Sequence, residues 1–198
     1  MKILALSDIH GDKHWLEQMA ERGAKEHVDL VILAGDIVDQ DGSSVGLLQP
    51  FKDKNLEVVI LPGNHEGLAE TYFMTEHFKV KHLHGKTLLK GDVGIFGCGY
   101  ADAGPHQLQE KDFFRTLQET HEQVKQAKKK IMVTHIQPSE SILGLGVYPG
   151  STGVRKAIEE FQPDLHLCGH VHETEGIEEV IGKTRVINVG KRGKIIEV

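Results

Sequence analysis

Five short segments end in residues that bind metal ions, and nearly all of them follow an apolar run. They are Asp8-Ile9-His10, Gly35-Asp36-Ile37-Val38-Asp39, Gly63-Asn64-His65, Thr134-His135 and Gly169-His170-Val171-His172. Their Asp, Asn and His side chains suffice for two adjacent ions. Aspartate can bridge two cations, imidazole supplies borderline nitrogen and Asn a neutral carbonyl oxygen. Two ions ~3.5–4 Å apart can hold a hydroxide between them and clamp phosphoryl oxygens, which is chemistry for cleaving phosphate esters. Singly, each segment has a plainer reading. An Asp-x-His is common, Gly-Asp is often a turn, and His-x-His is often surface or core. Five such fragments at strand ends make coincidence a weak account.

The elements that must position these residues alternate. Apolar strands are expected at 3–6, 30–33, 58–61, 131–134 and 165–168, with helices at 13–26, 68–78 and 154–161. A short helix is expected at 45–54, with Pro50 as a breaker, and a long amphipathic one at 107–129. Residues 86–90 and 93–97 read as a hairpin about Gly91-Asp92. The segments 177–181, 185–189 and 194–198 read as a closing antiparallel meander. The first half has a βαβαβ rhythm, so parallel strands with outer helices are expected, in two packed sheets and one domain over residues 1–198. Asp8, Asp36, Asn64, His135 and His170 each fall just past a strand's C-terminal end, where α/β sheets gather ligands.

The formal charge of −6 over 198 residues disfavours nucleic acid as a partner, which usually requires a basic face. The run Lys128-Lys129-Lys130 reads as a solvated helix end. Cys98 and Cys168 form no disulfide framework, and Cys168 reads as a small buried residue at a strand end. No run is long enough to cross a membrane, and a cytoplasmic location is expected.

In order, Asp8-x-His10, Gly35-Asp36-x-x-Asp39, Gly63-Asn64-His65, His135 and Gly169-His170-x-His172 resemble the full signature of the calcineurin-like metallophosphoesterases. Asn188-Val189-Gly190 resembles that family's closing Asn-Pro-Gly turn, with Val in place of Pro. His82-Leu83-His84-Gly85-Lys86, Cys168 to Glu173 and Gly182-Lys183-Thr184 resemble small stand-alone members from archaea and bacteria.

The resemblance implies an α/β fold, a four-layer αββα sandwich of two mixed sheets flanked by helices. It implies a first metal on Asp8, His10, Asp36 and His172, and a second on Asp36, Asn64, His135 and His170. Manganese is the first expectation, with iron, zinc or nickel as alternatives. His65 would act on the substrate, stabilising phosphoryl charge or protonating the leaving oxygen, with Asp39 orienting it. Glu66 is an alternative orienter, or a solvated loop residue.

Protein phosphatases of this family carry Arg where Gln40 and Pro62 stand here. A monoester dianion gains more from a bidentate arginine than a diester does. A small phosphodiester is therefore the expected substrate. A phosphomonoesterase or a non-catalytic scaffold on the same fold is the alternative, and a nuclease ranks lower. A homodimer through a sheet edge or the hairpin near Gly91 is open. Arg155 reads as an exposed helix residue. Tyr100 and Tyr148, on loops 97–106 and 136–152, read as packing residues before ligand contacts. Nothing in the spacing of His106 supports a contact with substrate or metal. His14, His27, His77, His82, His84, His121 and His166 read as surface or structural.

Overall fold

A computed structural model describes residues 1–39 and 42–198; Gln40 lies outside the described residues. The elements in order are β1 (Lys2–Leu6), α1 (Lys13–Lys25), β2 (Leu30–Ala34), α2 (Gln49–Asp53), β3 (Val58–Leu61), α3 (Leu68–Phe78), β4 (Lys81–His82), β5 (Thr87–Lys90), β6 (Val93–Cys98), α4 (Glu110–Val124), β7 (Lys129–Thr134), α5 (Thr152–Phe161), β8 (Leu165–Cys168), β9 (Glu178–Ile181), β10 (Thr184–Asn188) and β11 (Lys194–Glu197). One sheet has the order β11-β1-β2-β3-β4 and the other β5-β6-β7-β8-β10-β9. Both are mixed, with β1-β2-β3-β4 and β6-β7-β8-β10 parallel.

The layering follows from strand alternation, because successive side chains face opposite sides of a sheet. Ile3, Ala5, Leu30 and Ile32 turn inward and meet Ile95, Ile131, Val133 and Leu167 of the other sheet. Their neighbours Leu4, Leu6, Val31 and Leu33 turn outward onto Leu16 and Met19 of α1, Phe51 of α2 and Met74 of α3. On the far side Phe96, Met132 and Val186 pack against Phe113 and Leu117 of α4 and Val154 and Ile158 of α5. Three apolar layers thus separate four structural ones, giving the αββα sandwich. Strands buried on both faces explain the unbroken apolar runs of β1, β2 and β3.

Four expectations are corrected. β11 does not continue a meander. It leaves β10 and pairs antiparallel with β1, Ile3 opposite Ile196, while β10 pairs parallel with β8. Its alternation fits either sheet, so the local pattern cannot choose the neighbour. The fourth helix ends at Val124, and Lys129 and Lys130 already belong to β7, opposite Val93 and Gly94. The lysine run therefore starts a strand, with Lys128 paired to Asp92 and Lys129 to Asp164. Pro50 opens α2 and does not break it, since a first-turn proline gives up an N–H that has no helical partner. The two-residue strand β4 has no signal in its own sequence.

The hairpin forms as read, with Lys90 opposite Val93. Cys98 and Cys168 are buried free thiols, and burial pushes Cys98 up to about 12, which leaves it unreactive. No helix among the described residues is long and apolar enough to cross a membrane.

Candidate metal centre

The loops after β1, β2, β3, β7 and β8 meet at one end of the two sheets. Backbone hydrogen bonds lace the first two together: Asp8 N–H donates to the Gly35 carbonyl at 3.0 Å, and Ile9 and His10 donate to Asp36 at 2.7 and 3.0 Å. Close approach demands glycine at two points. A Cβ on Gly63 would overlap Asp36 Oδ1, and one on Gly169 would overlap Ser7 Oγ and Asp8 Oδ2. Asp8, His10, Asp36 and His170 all have left-handed backbone, with φ of 57°, 50°, 49° and 70°. Non-glycine residues there are strained, and such strain concentrates at functional sites.

Three groups of donor atoms result: Asp8, His10 and His172; His10, Asp36 and His65; and Asp36, His135 and His170. Asp36 Oδ2 lies 3.2 Å from His135 Nε2, 3.8 Å from His65 Nε2 and 4.0 Å from His10 Nε2. Asn64 Oδ1 is 3.1 Å from His135 Nε2. At the other end His10 Nε2 and His172 Nε2 lie 3.2 Å apart, and His172 Nε2 is 3.4 Å from Asp8 Oδ1. The structure thus brings together Asp8, His10, Asp36, Asn64, His65, His135, His170 and His172.

Residues behind the candidate ligands orient them, as supporting groups around metal sites commonly do. His135 Nδ1 donates to the Ala34 carbonyl at 2.9 Å, which turns Nε2 inward. Asp39 Oδ1 lies 3.0 Å from His10 Nδ1, which turns His10 Nε2 inward. Asp39 thus contacts His10, not the His65 expected from the resemblance. His65 Nδ1 is buried without a hydrogen-bond partner among the described residues, while its backbone N–H donates to Asp36 Oδ1 at 3.0 Å. Glu66 is neither solvated nor an orienter of His65. It is fully buried and accepts the backbone N–H groups of Asp36, Val38 and Gly63 at 3.1, 2.8 and 2.6 Å.

The charge balance fits a cation. Asp8 and Asp36 are 4% and 3% exposed, and no lysine or arginine pairs with either among the described residues. With Nδ1 committed to Ala34, His135 Nε2 meets Asp36 Oδ2 and Asn64 Oδ1, so a proton or a metal ion must sit among three acceptors. Burial opposes charge on His135, yet the Asp36 carboxylate outweighs it and pushes the imidazole up to about 9. Burial likewise opposes charge on Asp36, but His135 beside it holds that carboxyl well below the usual range. His170 is pushed down to about 4 by burial and by His135. A neutral imidazole with a free lone pair is the form that binds metal. Two buried carboxylates and converging imidazole nitrogens suit divalent ions of the borderline class.

Other candidates stand aside. Arg155 is tied to Glu159 at 2.6 Å and to the Glu140 carbonyl at 3.1 Å. The Tyr100 ring packs on His84 at 4.8 Å, its backbone held to the Pro62 carbonyl at 2.8 Å. His106 lies nearer than its spacing suggested, donating its N–H to the Asn64 carbonyl at 3.2 Å. Lys191 had no signal beyond following the Asn-Val-Gly turn, yet it lines the cleft beside Asp8, His10 and His172.

Residues 1–174 match the model of the calcineurin-like phosphoesterase family, and the chain belongs to that family. An uncharacterized protein of Methanocaldococcus jannaschii, MJ1162, is 26% identical over 201 residues, covering 95% of this chain and 87% of that protein. An uncharacterized metallophosphoesterase of Helicobacter pylori is 25% identical over 184 residues, 87% of this chain but only 44% of the longer relative. Among solved structures, TT1561 of Thermus thermophilus superposes with a TM-score of 0.80 at 20% identity, over 96% of this chain and 89% of that one. At that identity the likeness is one of fold.

Proposed function

We propose that this chain is a two-metal phosphoesterase that hydrolyses small organic phosphodiesters. The supporting observation is the sharing of Asp36, which stands in two of the three donor groups. Asp8, His10, Asp36 and His172 would hold one divalent ion, and Asp36, Asn64, His135 and His170 the other, with manganese the first expectation. When bound, such a pair supplies Lewis acidity, activating water and offsetting phosphoryl charge.

The chain's own residues orient and protonate. Asp39 and the Ala34 carbonyl keep His10 and His135 turned inward. His65 is partly exposed, with Nε2 on the Asp36 side of the centre, a position from which it protonates the leaving oxygen. Among the described residues Lys191 is the one lysine or arginine lining the adjacent cleft, and Pro62 occupies a position where protein phosphatases carry Arg. A monoester dianion therefore finds little of the bidentate cationic support it gains most from.

The test is turnover of bis-p-nitrophenyl phosphate and p-nitrophenyl phosphate by metal-stripped protein reloaded with Mn²⁺. The diester should be favoured, and Asp36→Ala and His135→Ala should abolish metal loading and turnover together. A clear monoester preference, or no cleavage with both ions bound, would overturn the proposal.

A further inference from the structure

A cleft of about 250 Å³ opens beside one end of the metal centre, lined by Asp8, His10, His172, Glu175, Gly190 and Lys191. That is small for a ligand pocket and suits one substituent of a small molecule. His65 does not line it, so a leaving group served by His65 sits elsewhere, and the cleft falls to the substituent that stays on phosphorus.

Three charged residues line it, the carboxylates Asp8 and Glu175 and the cation Lys191. The Glu175 carboxylate accepts the Arg192 backbone N–H, and Arg192 Nε lies 3.7 Å from Oε2. Lys191 is held at both ends. Its carbonyl accepts Trp15 Nε1–H at 2.7 Å, and its ammonium lies 2.7 Å from Asp12 Oδ2. Asp12 is fixed in turn, because Oδ1 accepts the Trp15 N–H at 2.9 Å to cap α1. The preceding carbonyl, of Gly190, accepts the Ser7 N–H at 2.9 Å, one residue before Asp8. The position of Lys191 is thereby tied to that of a metal ligand. An ammonium has three N–H donors, and Asp12 takes one. The Lys191–Asp12 pair is 41% and 38% exposed, and pairs so exposed contribute little to stability.

We propose that this cleft binds a second phosphate, carried on the non-leaving substituent of the ester, and that Lys191 is the residue that selects it. The proposal rests on the phosphoesterase reading above. Lys191 lines the cleft, and its ammonium, held on Asp12, meets a phosphate as a point charge, without the planar match that an arginine would require.

The test uses the Mn²⁺-loaded protein and two esters that differ only in the second phosphate: thymidine 5′-(p-nitrophenyl phosphate) and its 3′-phosphorylated counterpart. Wild type should show a KM about tenfold lower for the 3′-phosphorylated ester, a ratio that shrinks in about 0.5 M salt. Lys191→Ala should bring the ratio close to one, Lys191→Glu should invert it and Lys191→Arg should keep it. A loss of folding would lower both activities and leave the ratio alone. Calorimetry of thymidine 3′,5′-bisphosphate against thymidine 5′-monophosphate, on wild type and Lys191→Ala, gives the same comparison without turnover. Equal KM values in wild type, or a preference that survives Lys191→Ala, would overturn the proposal. Should neither ester be cleaved, the phosphoesterase reading fails separately, and equal affinity for the two nucleotides would then sink the assignment of the cleft.

Discussion

Glu66 Oε2 accepts the backbone N–H of Asp36 at 3.1 Å from a fully buried position, so a carboxylate with no hydrogen bond to a candidate ligand's side chain among the described residues holds the loop that carries Asp36. The same carboxyl group takes the N–H groups of Val38 and Gly63, bracing the loop after β2 against the loop after β3. Burial, then the neighbouring Asp36, pushes Glu66 up to about 7.

Removing that brace should be costly. Glu66→Ala leaves three buried N–H groups without an acceptor, each worth ~1–3 kcal/mol. We expect urea unfolding of the metal-free protein to show a loss of at least about 3 kcal/mol, with metal affinity falling as well. Glu66→Gln retains an acceptor oxygen and should recover part of both. An unchanged urea midpoint in Glu66→Ala would show that water replaces the brace.

Asp39 should matter to one ion more than to the other. It faces His10 Nδ1, and His10 shares a donor group with Asp8 and His172. Asp39→Ala should weaken one of two calorimetric metal affinities by ~10–100-fold, a usual cost of losing an orienting partner. Equal weakening of both affinities would contradict an action through His10.

On the proposed reading His65 transfers a proton and holds no metal. His65→Ala should retain both ions by elemental analysis and lose ~10²–10⁴ in turnover, more for esters with poor leaving groups. Loss of one ion equivalent would instead make His65 a ligand, which its place beside His10 and Asp36 allows.

His166 should make the fold acid-sensitive. Thr134 Oγ1 donates to the Ile136 carbonyl at 2.6 Å, so it accepts from His166 Nε2–H at 2.8 Å. The ring is fully buried, and burial pushes it down to about 3. As pH falls below about 6.5 the unfolded chain takes up the proton first, so stability holds above that value and is lost towards pH 3, by at most ~1.4 kcal/mol per pH unit. His166→Gln keeps a donor but does not titrate. Its unfolding free energy should fall less steeply than wild type's between about pH 6 and 4, and parallel curves would refute the assignment.

Most of the site was legible because each ligand segment announces itself locally. A buried strand must be apolar, and the first Asp, Asn or His just past it, preceded by a glycine at Asp36, Asn64 and His170, lies at the sheet's end. Asp8, Asp36, Asn64, His135 and His170 could be placed on that ground alone. The alternation of strand and helix gave the layers in the same way, since burial on two faces leaves an unbroken apolar run. Asp39, Glu66 and Lys191 carried no such mark. Each lies on a loop, and its role depends on which distant residue the fold brings beside it.

The sequence by itself determined the donor types and the strands and helices around them, because an unbroken apolar run and a 3.6-residue period are local features of the chain. The tertiary structure alone decided the pairings. Asp39 meets His10 across 29 residues, and His10 meets His172 across 162. It also decided that β11 closes on β1, and that Asp8, His10, Asp36 and His170 take left-handed backbone. Contacts between segments so far apart are selected by the packing of two sheets against each other, and a local pattern contains no information about its distant neighbour.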